Sequence, residues 1–250
     1  MKFWKLALCT SVATLGVATA AMADDKPTIA FNAGITSDYM FRGIDQSAGG
    51  VAGFGGADVT WGKVYVGTWV SHVDFAGSYG GNDTLAEVDV YGGVRPQLGP
   101  VALDLGVIGY IYPKQPSGSH ENYVELKALA SVPVGPVTLG GAVYYSPDMT
   151  LASGSAVYVE GNAAYTFKNK MTLSGAVGYQ DLDASKSSGL TGYTTWNVGV
   201  TYPVTDHLSA DIRYVGTSGA AKNSPWFGGT DKSHPFNAAD RVVGTLKVTF

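Results

Sequence analysis

The sequence predicts an all-β fold: a closed antiparallel transmembrane β-barrel, with twelve strands, short periplasmic turns and longer extracellular loops. Three observations carry the prediction. Segments of roughly 10–12 residues alternate apolar and polar positions, close to the ~9–11 residues a tilted strand needs to cross a bilayer. The connections between them alternate short and long, as in bacterial outer-membrane barrels. The last segment reaches Phe250 with Val242, Gly244, Leu246 and Val248 on one face and the mostly polar set Arg241, Val243, Thr245, Lys247 and Thr249 on the other.

The elements follow in order. Lys2 and Lys5 precede an apolar stretch, Leu6 to Ala20, and Ala21-Met22-Ala23 has the form of a signal-peptidase site. Residues 1–23 therefore read as a secretory signal peptide and 24–250 as the exported barrel. Strands are expected at 28–38, 51–61, 63–74, 84–95, 101–112, 122–132, 137–146, 156–167, 171–181, 192–202, 208–217 and 240–250. The clearest is Ala86, Val88, Val90, Gly92 and Val94 facing away from Glu87, Asp89, Tyr91 and Arg95. The second and third strands are weaker, because Gly53, Gly55 and Gly56 blur the alternation of one and Val64, Val66 and Val70 share a face with His72 in the other. Gly62, Pro96–Pro100, Pro133–Pro136, Lys168–Lys170 and Pro203–His207 are short and rich in turn residues. The spans 39–50, 75–83, 113–121, 147–155, 182–191 and 218–239 are long and read as outside loops.

Composition excludes several functions. Charged residues make up only 14% of the chain, and 34 glycines and 15 tyrosines fit a large β domain. Removing Lys2 and Lys5 from the 16 basic residues leaves 14 against 20 acidic ones, a net charge of −6. No basic face for nucleic acid is expected. Cys9 is the only cysteine and lies in the signal segment, so disulfides and cysteine metal sites are not expected. No cofactor, metal ligand set or catalytic constellation stands out. Ser71 and His72, with Asp74 nearby, are the best pair for a lipid hydrolase. Adjacent strand residues point to opposite faces, so these two cannot pair directly.

On the alternating polar faces, Glu87, Asp89, Arg95, Asp104, Glu125, Lys127, Glu160, Asp211, Arg213, Arg241 and Lys247 are the expected pore lining. Acids and bases are nearly balanced in this set. They can form a weakly selective bore or cross-strand ion pairs that hold the barrel's shape. Tyr39, Phe41, Trp61, Tyr110, Tyr112, Tyr144, Tyr145, Tyr165, Phe167, Tyr179, Tyr202, Tyr214 and Phe250 lie near strand ends. As a set they are expected to form the two aromatic girdles of a membrane barrel. Trp226, Phe227 and Phe236 mark the 218–239 loop as either a constriction or a binding surface.

The segment Ser37-Asp38-Tyr39-Met40-Phe41-Arg42-Gly43-Ile44-Asp45-Gln46-Ser47 resembles the Ser-Asp-Tyr-x-Phe-Arg-Gly-Ile-Ser-Gln-Thr signature of the TorF-type porin family, with Asp45 and Ser47 as departures. Further matches follow in order. They are Tyr65-Val66-Gly67-Thr68-Trp69, Ser71-His72-Val73-Asp74-Phe75, Ala86 to Gly93, Tyr110-Ile111-Tyr112-Pro113, Tyr123-Val124-Glu125 and Tyr144-Tyr145-Ser146-Pro147-Asp148. The resemblance implies an outer-membrane barrel acting as a channel, and it supplies no agreed substrate. In the signature Ser37, Asp38, Tyr39, Phe41, Arg42 and Gly43, the rings can anchor strand one at the interface and Gly43 permits a turn. Arg42 can pair with Asp38 in the loop or point into the lumen, or the segment can simply fix the strand-to-loop transition. The expected partners are outer-membrane lipid, small solutes or ions, and the barrel-assembly machinery, which would read the terminal strand and Phe250. A surface-binding or structural barrel without an open pore is the alternative.

Overall fold

The computed structural model of the protein describes residues 26–76, 83–183, 185, 192–224, 229–232 and 234–250. The expected signal peptide lies outside these residues, as do Trp226 and Phe227. Twelve strands form the wall. They are β1 (Thr28–Thr36), β2 (Ala52–Trp61), β3 (Val64–His72), β4 (Ala86–Val94), β5 (Val101–Ile111), β6 (Tyr123–Val134), β7 (Val137–Ser146), β8 (Ala156–Thr166), β9 (Thr172–Leu182), β10 (Gly192–Pro203), β11 (Leu208–Thr217) and β12 (Arg241–Thr249). Each sits within two residues of its expected bounds.

Every strand pairs antiparallel with its sequence neighbours, and β1 pairs with β12 to close the barrel. The seam runs from Asn32 opposite Thr249 to Thr36 opposite Thr245. Phe31 and Phe250 extend it by exchanging both backbone hydrogen bonds, at 3.1 and 2.9 Å. Closure leaves no strand edge with a row of unpaired backbone groups. The His207 ring stacks on Phe250 at 5.7 Å and its Nδ1 lies 2.8 Å from the Thr249 carbonyl, which ties down the end of β12. Gly62 and Gly135 adopt positive φ in the two tightest turns. All short turns lie at one end of the barrel and all long connections at the other. Among the described residues no helix is long and apolar enough to cross a membrane.

Strand alternation sorts the side chains. Ile29, Phe31 and Ile35 of β1 are exposed on the outer wall, while Asn32 and Thr36 are buried inside. The same parity holds around the ring, from Val64, Val66 and Val70 to Val242 and Leu246. Aromatic residues divide by this parity too. Tyr145, Tyr179 and Tyr214 ring the long-loop end on the outside, and Trp61, Tyr165, Phe167, Tyr202 and Phe250 ring the short-turn end. The girdle expectation fails for Tyr39, Tyr110, Tyr112, Phe41 and Tyr144. The first three are almost wholly buried, and all five sit inside the barrel among buried aromatic side chains or around Arg42.

Candidate functional site

The inside of the barrel gathers the chain's charge around one inserted loop. The connection between β1 and β2, expected outside, turns into the lumen. Its residues Met40–Phe41 pair with Ile44–Asp45 as a small hairpin. The two residues between, Arg42 and Gly43, have φ of 48° and 80°. A two-residue hairpin with positive φ at both central positions has the sign pattern of a type I′ turn. Glycine adopts this freely. It is also needed for space, since a side chain at Gly43 would run into Thr195 and Thr217 on the wall. Arginine adopts it at a cost, and such strain persists only where surrounding contacts hold it.

The contacts that hold it belong to Arg42. Its guanidinium meets Glu125 of β6 through two parallel hydrogen bonds of 2.8 Å. It also donates to Gln180 of β9 at 2.9 Å. The rings of Phe41, Tyr144 and Tyr158 lie 4.4–4.9 Å from its central carbon. A forked pair plus ring faces is the arrangement that suits guanidinium best. The pairing of Arg42 with Asp38 that the loop sequence allowed does not form. Asp38 and Asp45 both bind Arg241, together with Asn237. Tyr39 and Phe41 do not anchor at the interface. Tyr39 donates to Glu87 at 2.6 Å and packs on Trp69, and Phe41 packs on Tyr110. Ser37 accepts the Gly244 N–H at 3.0 Å, fixing the point where the chain leaves the wall. From the last long connection, Phe236 packs against Phe75 at 4.5 Å and bonds the Asp45 carbonyl through its backbone.

The remaining charges sit in two tiers. Toward the long loops, Glu87 accepts from Tyr39 and Tyr112, and Glu125 accepts from Tyr110 as well as Arg42. Asp89 lies between them, 1% exposed, and its Oδ1 has no hydrogen-bond partner among the described residues. Toward the short turns, Asp104 takes Arg95 at 3.2 Å, Lys127 at 3.8 Å and the Tyr65 hydroxyl at 2.5 Å. Arg95 also covers the Tyr65 ring at 3.7 Å. Asp58 accepts from Tyr91 at 2.9 Å. Across the lumen, Arg213 binds Asp211, Asn197 and Ser174. Glu160 accepts from Tyr158 and Asn162. Lys247 is half-buried on the inner face of β12.

The model of the family of bacterial proteins of unknown function called Gcw_chp matches residues 20–250. The chain belongs to the Gcw_chp family. No curated protein matches this Gcw_chp chain in sequence. Among solved structures it is similar to the NanC porin, with a TM-score of 0.55 at 12% identity, covering 89% of this chain and 99% of that one. It is also similar to the KdgM porin solved in complex with disordered oligogalacturonate, with a TM-score of 0.56 at 9% identity, covering 89% and 98%. At these identities the likeness is one of fold.

In the Gcw_chp barrel the eleven charges singled out by alternation are all directed inward, and most are engaged in ion pairs or hydrogen bonds rather than facing open water. Ser71 and His72 point to opposite sides of β3, inward and outward. Sequence reasoning missed Asp58, on the strand whose glycines hid the alternation. It also missed Gln180, an inward position of β9 that its parity with Ser174 and Ala176 could have flagged. Asp45, a departure from the signature, is fully buried and holds Arg241 and Asn237.

Proposed function

We propose that this Gcw_chp protein is an outer-membrane, porin-like channel for passive diffusion of small hydrophilic solutes or ions. The observation that carries the reading is a closed barrel with an apolar, aromatic-belted outside and a charged inside. An inward face lined with ionisable side chains is the polar interior that a channel barrel presents. The fold likeness to solved porins and the resemblance to TorF-type porins support the same reading. In this orientation the short turns are periplasmic and the long connections extracellular. Lipid contacts the outer wall, the barrel-assembly machinery reads the β12 strand, and residues 1–23 serve as the export signal. Twelve strands enclose more room than eight and less than a 16-stranded porin, and the inserted hairpin narrows it further.

Purified protein reconstituted in planar lipid bilayers tests this. Discrete conductance steps smaller than those of a 16-stranded porin are expected. Silence under conditions where such a porin conducts would overturn it. The lodged hairpin itself favours a second reading, a surface or structural barrel without an open pore. Replacing residues 39–46 by a short Gly-Ser link separates the two, since a channel then conducts more and a structural barrel stays silent.

A further inference from the structure

Arg42 is a cation on a loop, seated in a receptor that the wall builds without it. Three of its groups are fixed by their own bonds to the barrel, and the fourth, Tyr144, by packing. The Gln180 amide donates to the carbonyls of Val157 and Asp181 at 3.3 and 3.2 Å, which leaves its oxygen directed at the guanidinium. Glu125 is steadied by the Tyr110 hydroxyl at 3.1 Å. Tyr158 is anchored through its hydroxyl to Glu160 at 2.8 Å, and Gly178, the partner of Glu160 on the neighbouring strand, leaves room for the ring. Tyr144 stands beside Tyr158, with ring centres 6.2 Å apart. A site whose groups are held in place beforehand loses little entropy when a ligand arrives.

The ligand now in it is held under strain, because Arg42 carries the positive φ that asparagine or glycine would adopt more easily. The adjoining wall also carries more carboxyl groups than Arg42 engages. Glu87 and Glu125 flank Asp89, whose buried Oδ1 lacks a partner among the described residues. No group of these carboxylates is arranged to chelate a metal ion among the described residues. A planar organic cation fits the forked carboxylate, the amide oxygen and the two ring faces.

We propose that Glu125, Gln180, Tyr144 and Tyr158 form a recognition site for solutes bearing a guanidinium or similar organic cation, and that Arg42 is a tethered occupant which such solutes displace. The inference deepens the channel reading and rests on it, since the solute must reach the lumen. Arg42→Asn removes the guanidinium while supplying a residue suited to the turn. Isothermal titration of the folded protein in detergent with methylguanidinium should give at least tenfold tighter binding to Arg42→Asn than to the wild type. Methylurea, neutral and of the same shape, should not bind, and adding Glu125→Gln to the variant should abolish the methylguanidinium signal. No binding to folded Arg42→Asn, equal binding of methylurea, or equal affinity in the wild type would each overturn the proposal. If the variant does not fold, the wild type decides. Methylguanidinium should accelerate backbone hydrogen exchange across residues 38–47 where methylurea does not, and unchanged exchange sinks the idea. Neither readout needs conductance. A barrel silent in bilayers that binds methylguanidinium removes the channel reading alone, and a conducting barrel that ignores it removes this site alone.

Discussion

At the scale of the residue, Arg241 illustrates how the lumen is held. It is buried and bridges Asp38, Asp45 and Asn237. Removing one partner of a buried ion pair strands the other charge, at a cost of about 3–5 kcal/mol. Arg241→Ala therefore leaves two stranded carboxylates, and a drop of that order is expected in unfolding free energy measured by urea titration in detergent. Arg241→Ala with Asp38→Asn and Asp45→Asn should recover much of the loss, because the uncompensated charges go with the arginine. The inward direction of Arg241 was legible from a period of two. Its two acidic partners were not, because they lie about two hundred positions away in the sequence. The same distance problem hid the meeting of Arg42 with Glu125.

At the scale of the element, each strand has an apolar outer face and one turned to the lumen, and a single step in register exchanges them. Ile212 at the middle of β11 is 66% exposed on the outer wall, while Arg213 beside it is 1% exposed inside. Ile212→Arg should cost about 2–4 kcal/mol in the bilayer, read as a lowered urea midpoint in lipid vesicles. Ala210→Ser on the same face, nearer the short-turn end, should change it little. Parity also explains the aromatic residues. Tyr110 and Ile108 share a face with Asp104, so the alternation that found the acid also placed the tyrosine inside. Grouping rings by nearness to strand ends overrode that signal. Tyr39 and Phe41 lie beyond β1, where no period applies, and only the tertiary course of the loop puts them in the lumen. Gly178 makes a further element-level case. A side chain there would strike the Tyr158 ring, so Gly178→Val should displace Tyr158 and loosen the seat of Arg42. Hydrogen exchange over residues 38–47 would report this as faster exchange.

At the scale of the whole molecule, the near balance of charge counted along the sequence resolves into two unequal tiers. The tier toward the long loops holds Asp38, Asp45, Glu87, Asp89 and Glu125 against Arg42 and Arg241. The tier toward the short turns holds Asp58, Asp104, Glu160 and Asp211 against Arg95, Lys127, Arg213 and Lys247. Fixed charge at a constriction sets ion preference. In a salt gradient across a bilayer, Arg42→Asn should therefore shift the reversal potential toward cations. Lys247→Gln, in the balanced tier, should shift it less. The number of strands and the side of each long connection were legible because they depend on local alternation and turn chemistry. The entry of the β1–β2 loop into the lumen was not, because it depends on which of several polar loops finds complementary charge inside.

The burial of Trp69 has an optical consequence. Its indole sits inside the barrel, 3% exposed, with Tyr39 at 5.6 Å and Phe54 at 5.9 Å. Trp61 stands on the outer wall, 66% exposed, and Trp196 shares the outward parity of Val198, so brominated lipid tails should quench both and spare Trp69. With Trp61, Trp196 and Trp226 changed to Phe, emission from residues 24–250 would come from this one indole beneath the hairpin. A red shift in its spectrum would then mark, in real time, the moment water replaces Tyr39 above it.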